Sequence, residues 1–126
     1  MDKQLISTNT AFEQQAKYSR AVRVDDLVFV SGTVGYDPVT GTMPASFNDQ
    51  FDNCLAIIRG ALRQAGCAMG DVVMVRVYLV GRAHVSAVVA CLSGAFRDVR
   101  PANTTIICEL PVPEALLEME VFARRS

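Results

Sequence analysis

The 126-residue chain has one histidine, His84, and its four cysteines, Cys54, Cys67, Cys91 and Cys108, form no C-x-x-C pair. That scarcity removes the usual tetrahedral zinc spacings, so no metal site is expected. It also removes Ser-His-Asp and Cys-His catalysis unless His84 lies beside a nucleophile, and no G-x-S-x-G elbow marks one. Neither G-x-G-x-x-G nor G-K-S/T occurs; Gly32-Thr33-Val34-Gly35 has the wrong spacing and opens no helix, so no nucleotide cofactor is expected. Charge of one sign is missing as well. Twelve Lys and Arg stand against thirteen Asp and Glu, a formal net charge of -1 that exerts no broad pull on a phosphate backbone, and nucleic acid is not an expected partner. Long apolar runs are absent: Val72 to Val80 is interrupted by Arg76 and falls far short of the ~18 residues of a spanning helix, so no membrane association is expected. The start, Met1-Asp2-Lys3-Gln4, lacks the basic and apolar regions of a secretory signal, which points to a cytoplasmic location with the thiols reduced and structural.

Apolar residues, by contrast, are plentiful. A hydrophobic fraction of 51% and a mean hydropathy of +0.26 exceed what one small interior needs, so part of that surface is expected between subunits. The length fits one domain over residues 1–126. Lys3 to Ser7 reads as a short strand, Arg20 to Val24 and Leu27 to Thr33 as a hairpin turning at Asp25-Asp26, and Gly35 to Gly41 as a loop rich in turn formers. Phe47, Phe51, Cys54, Leu55, Ile58 and Leu62 recur at the spacing of one helical face, with Ser46 and Asp49 at its start and Gly66 at its end. Val72 to Val80 alternates as a strand, and a second helix from about His84 to Phe96 is expected to bury Val85, Val88, Val89, Leu92 and Phe96. Arg100-Pro101 is expected to impose extended backbone before a strand from Asn103 to Cys108, and a proline-containing turn leads to the last strand, Leu117 to Ala123.

The resulting order, β-β-β-α-β-α-β-β, predicts an α+β fold: a mixed sheet with two helices on one face, where Leu117, Met119 and Val121 would point. Glu118, Glu120, Phe122, Arg76, Tyr78, Phe29 and Ser31 then share the other face, too oily for water and too polar for a dry core, and identical subunits are expected to cover it.

A small polar group remains at strand ends: Tyr18-Ser19, Ser31-Gly32-Thr33, Asn103-Thr104-Thr105 and Glu118. Each has an ordinary structural explanation, the tyrosine and threonines as strand formers and Glu118 as a solvated carboxylate. Together, a carboxylate with hydroxyl and amide donors can also hold a small polar ligand and position a water. Spacing alone does not choose between these accounts.

The linear order of several segments resembles the RidA/YjgF family of imine and enamine deaminases, formerly labelled endoribonuclease L-PSP. The resemblance is carried by Tyr18-Ser19-Arg20-Ala21-Val22, Leu27 to Thr33, Asp37-Pro38 with Thr40-Gly41, Gln64-Ala65-Gly66, Asp71-Val72-Val73, Val77-Tyr78-Leu79, Arg100-Pro101-Ala102 and Leu117-Glu118-Met119-Glu120-Val121. It implies a bacillus-type, chorismate-mutase-like fold, a homotrimer around a central barrel, and a small-molecule ligand in clefts between subunits. It also implies Glu118 as the catalytic, water-orienting carboxylate and Tyr18, Ser31, Gly32, Asn103 and Thr105 as substrate-binding residues. Where deaminases of the family place a carboxylate-binding arginine after the Pro-Ala pair, this chain has Asn103, which forfeits roughly half the strength of a charge-assisted bidentate contact. The Asn and Tyr typical of the second helix are Val89 and Leu92, implying a less polar cleft. Two readings stay open: a hydrolytic deaminase with altered substrate preference, Arg20 or Arg100 supplying the lost charge, and a non-catalytic trimeric binder of a metabolite or partner. A ribonuclease or translation inhibitor finds no basic stripe to support it.

Overall fold

In a computed structural model that describes residues 3–126, the chain runs through β1 (Lys3–Ile6), α1 (Ala11–Ala16), β2 (Ala21–Val24), β3 (Leu27–Val34), α2 (Phe47–Gln64), β4 (Val72–Leu79), α3 (Val85–Ala95), β5 (Ala102–Ile107) and β6 (Leu117–Arg124). Short 3-10 turns lead into β4 and α3. Helix α1 was not foreseen, because Ala11-Phe12-Glu13-Gln14-Gln15-Ala16 carries no apolar period; local bonding makes it, with the Thr10 hydroxyl accepting from the Glu13 N–H at 3.2 Å.

Helix α2 forms where the spacing predicts. Ser46 Oγ accepts from the Asp49 N–H at 3.3 Å, and at the far end Gly66 takes φ +82° so that the Cys67 N–H returns to the Leu62 carbonyl at 2.8 Å. The predicted stripe of Phe47, Phe51, Cys54, Leu55, Ile58 and Leu62 is buried. Burying each large apolar side chain of this kind stabilises by about 1.5–3 kcal/mol. The stripe also contains a polar member, Gln50, fully buried: its Nε2 donates to the Pro44 and Glu114 carbonyls at 2.8 and 3.0 Å, and its Oε1 accepts from the Leu116 N–H at 2.8 Å. Gln50 thereby ties α2 to the segments before it and before β6 without leaving its amide unpaired.

Helix α3 departs from expectation. Val88 is buried and Phe96 caps the helix from a buried position, but Val85 and Val89 are exposed, Val89 by 59%. A helix apolar on nearly all sides does not reveal which side meets the sheet. Beyond it Arg100, expected to be extended before Pro101, instead has φ +50° and donates its N–H to the Phe96 carbonyl at 3.1 Å, closing the turn that delivers the chain to β5.

Among the described residues, six strands form one mixed sheet in the order β1-β2-β3-β6-β4-β5, with β4 and β5 parallel and the other neighbours antiparallel. The helices cover the face built from Val28, Val30, Val75, Val77, Leu79, Leu117, Met119 and Val121. This overturns the expected bacillus-type, chorismate-mutase-like homotrimer around a central barrel. Among the described residues the sheet is open: β1 pairs only with β2 and β5 only with β4, so two edges remain where closure would require each to find a partner. A mixed sheet with flanking helices is what stands.

On the other face, Phe29 and Phe122 meet edge to face with ring centroids 5.4 Å apart, and the Arg76 guanidinium lies 5.1 Å above Phe122. Glu120 Oε1 accepts from Arg76 Nη1 at 3.2 Å and from the Tyr78 hydroxyl at 2.6 Å. Phe29 nevertheless stays 40% exposed.

Candidate functional site

The hairpin β2–β3 and its junction with β6 open a cleft. Pairing between β3 and β6 slips between Val30 and Thr33, and the irregularity places Gly32 beneath the Glu118 side chain. A Cβ on Gly32 would stand 2.6 Å from Glu118 Oε2, so only glycine lets the carboxylate lie flat against the backbone there. Burial pushes the Glu118 carboxyl above its ordinary range, the neighbouring Glu120 charge pushes it further, and Arg20 pulls it partly back.

Arg20, itself buried, forms the floor. Its Nη1 donates to the Gly32 carbonyl at 2.9 Å and to Thr33 Oγ1 at 2.8 Å, while Nη2 donates to the Tyr18 hydroxyl at 3.2 Å. Behind it lies Glu13, with Oε2 3.8 Å from Arg20 Nε. Burial alone would raise the Glu13 carboxyl, but hydrogen bonds from Thr8, Thr10 and Ser7 outweigh it and hold the group below its ordinary value. The segment from Ser7 to Glu13 is thus folded around a charged carboxylate that steadies the arginine.

Tyr18, Arg20, Gly32 and Glu118 line a cavity of about 540 Å³ whose remaining wall is chiefly apolar, with Phe12, Tyr36, Ile57 and Val112 prominent. The volume lies within the range of small-molecule sites. Among the described residues no cluster of His, Cys, Asp and Glu has the arrangement to hold a metal ion.

Of the residues singled out from sequence, Tyr18, Gly32 and Glu118 come together here. Ser31 does not line the cavity; its hydroxyl donates to the Ser19 carbonyl at 2.7 Å and holds the hairpin. Asn103 and Thr105 sit apart, exposed on β5 and bonded to each other at 3.0 Å. Their register neighbours are Val75 and Val77, on the helix-covered face, whereas Glu118 neighbours Tyr78 on the opposite face, so one chain does not bring Asn103 and Glu118 together. Val89 and Leu92 do not line the cavity, and neither does Arg100. Arg20 does. Glu13, Phe12, Tyr36 and Ile57 escaped sequence reasoning; only Thr10 with Glu13 three residues on, a helix-start pattern, carried a signal.

Known proteins with this order of residues share the fold. The family profile described as Endoribonuclease L-PSP matches residues 8–125. A RutC family protein of Pyrococcus abyssi is 31% identical, covering 100% of both chains. A protein of the mite Dermatophagoides farinae named 2-iminobutanoate/2-iminopropanoate deaminase is 28% identical over 94% of this chain and 93% of its own. The crystal structure of a YjgF family member from Mycobacterium tuberculosis superposes with a TM-score of 0.88 at 31% identity, covering 98% of this chain and 99% of that one. With sequence, family profile and three-dimensional likeness in agreement over nearly the whole length, the chain belongs to the RidA/YjgF family.

Proposed function

We propose that the chain hydrolyses a small imine, or an enamine after its tautomerisation, to the corresponding carbonyl compound and ammonia, with Glu118 as the catalytic carboxylate. The observation that carries this reading is Glu118 lying on Gly32 in a cleft floored by Arg20. A carboxylate raised above its ordinary range by burial and by Glu120 is a better base toward water. Glu118 takes one proton from water as the new C–O bond forms at the imine carbon and returns it to nitrogen. The hydroxyl proton of the resulting carbinolamine then passes by way of Glu118 to the nitrogen as the carbonyl forms and the C–N bond breaks, and ammonia leaves. Tyr18 and Arg20 hold the polar end of the substrate. The mite relative's name supports this chemistry as one the fold accommodates.

Self-association completes the cleft in this reading. Asn103 and Thr105, remote from Glu118 within one chain, act as substrate-binding residues from the β5 edge of a neighbouring copy, as does Ser31 indirectly by holding the hairpin that carries Gly32. Light scattering should then read a multiple of the chain mass; a monomer at working concentration removes Asn103 and Thr105 from the site.

The direct test generates 2-aminoacrylate and branched-chain imines in situ and measures ammonia release. Acceleration over buffer is expected, falling by about 10²–10⁴ in Glu118→Gln. If no imine is hydrolysed faster than in buffer, the cleft is a non-catalytic binding site, the reading that the uncharged Asn103 favours.

A further inference from the structure

Resting on the deaminase reading, we infer that this cleft selects 2-imino acids with a large apolar side chain, anchoring their carboxylate on Arg20 and Tyr18. The anchor follows from counting donors. A guanidinium has five N–H groups; both on Nη1 are taken by Gly32 and Thr33, and Nη2 gives one to Tyr18, leaving its second N–H for a ligand acceptor. Because the Tyr18 oxygen accepts from Arg20, its own proton is free to donate outward. Two donors, one of them cationic, suit a carboxylate.

The separation fits as well. Arg20 grips the carbonyl of Gly32 while Glu118 lies over the α-carbon of the same residue, so anchor and base flank one glycine. In a 2-imino acid the carbon attacked by water is bonded directly to the carboxylate, which demands such closeness. Position and charge therefore replace from β2 and its approach what Asn103 does not offer from β5.

The rest of the cavity decides the size. At about 540 Å³ it far exceeds a three-carbon imino acid, and the side chains of Phe12, Ile57 and Val112 provide no partner for a polar group. Phe12 stays 53% exposed at the rim, an aromatic surface that a small substrate leaves wet. A benzyl or isobutyl side chain would cover it, and even a single methylene in a fitted apolar pocket is worth roughly tenfold or more in discrimination.

The test compares imino acids released from phenylalanine, leucine and alanine by an amino-acid oxidase, measuring kcat/KM, alongside calorimetric binding of phenylpyruvate, pyruvate and phenylacetone. The phenylalanine-derived imine should exceed the alanine-derived one by at least about tenfold in kcat/KM, with Ile57→Trp lowering that ratio by filling the wall. Phenylpyruvate should bind at least about tenfold tighter than pyruvate, and tighter than phenylacetone, which lacks the carboxylate. Tyr18→Phe, which removes one donor and keeps the ring, should narrow the gap between phenylpyruvate and phenylacetone. Equal or better use of the alanine-derived imine, or equal binding of phenylpyruvate and pyruvate, overturns the size inference even if deamination is real; equal binding of phenylpyruvate and phenylacetone overturns the anchor. Absence of turnover on every imine with phenylpyruvate still preferred defeats the deaminase reading and leaves the site's selectivity standing.

Discussion

Strand β6 presents two faces that differ in every respect except their backbone. Leu117, Met119, Val121 and Ala123 are buried against helices, whereas Glu118, Glu120 and Phe122, interleaved with them, are only half-buried. The first set does nothing but exclude water. The second carries the carboxylate of the cleft, an ion pair and an aromatic contact. Because alternate side chains of a strand point to opposite sides, a buried core and a cleft-lining surface are built from neighbouring residues. The backbone that carries Glu118 is therefore anchored on either side by the buried Leu117 and Met119.

The largest effect should come from breaking the buried face. Met119→Ala is expected to cost about 2–5 kcal/mol of stability, read as a lower urea midpoint; a variant of near-native stability would mean that the core repacks freely and does not hold Glu118. Next, Gly32→Ala disturbs only the other face. The new Cβ meets the far end of a flexible side chain, so Glu118 should swing aside, lowering kcat about 100-fold while the melting temperature hardly moves. Equal loss of fold and activity would erase the distinction between the two faces.

A smaller effect has the opposite sign. Burial and Glu120 raise the Glu118 carboxyl above its ordinary value, so ionising it costs more in the folded state than in the unfolded one. The Glu118 contribution is most favourable below the unfolded-state value and is lost as pH rises through the raised folded-state value. Glu118→Gln should therefore melt higher than the parent at neutral pH, with the difference vanishing in acid; a lower melting temperature at neutral pH would show that the carboxylate is structural. Smallest of all, Arg76→Ala removes a pair with a 42% exposed arginine, worth less than about 1 kcal/mol to the isolated chain. The same variant sharpens the comparison if that face meets another copy, since dilution should then dissociate it more readily, as sedimentation would report.

Glu13 provides the contrast in pH behaviour. Held below its ordinary value by three hydroxyl-bearing residues despite its burial, it contributes stability that is present above the unfolded-state value and lost as the pH falls through the folded-state one. Unlike Glu118, it belongs to the scaffold.

Several of these relations were legible in the residues. The α2 stripe follows from its spacing, and the caps at Ser46 and Gly66 lie where those residue types put them. Alternation in β4 and β6 separated Val75, Val77 and Met119 from Arg76, Tyr78 and Glu120 but misplaced Val73, which a register shift leaves exposed while Val72 is buried. Illegible were the sides of α3, because a helix apolar all round has no preferred face, and the left-handed turn at Arg100. The central barrel came from resemblance and met an open sheet with two unpaired edges. Within the site, Tyr18, Gly32 and Glu118 converge, while Asn103 and Thr105 lie on another strand and face, a separation that depends on the register of β4 against β5 and β6.

By itself the sequence determined the local periods of α2, β4 and β6, which depend only on residues near one another along the chain, and, through the linear order of its segments, the family. Only the tertiary structure decided that Arg20 and Glu118 meet at Gly32, the first at its carbonyl and the second where a side chain would stand. That meeting depends on a register slip between distant strands and on hydrogen bonds that bend the arginine inward, and no local pattern encodes either.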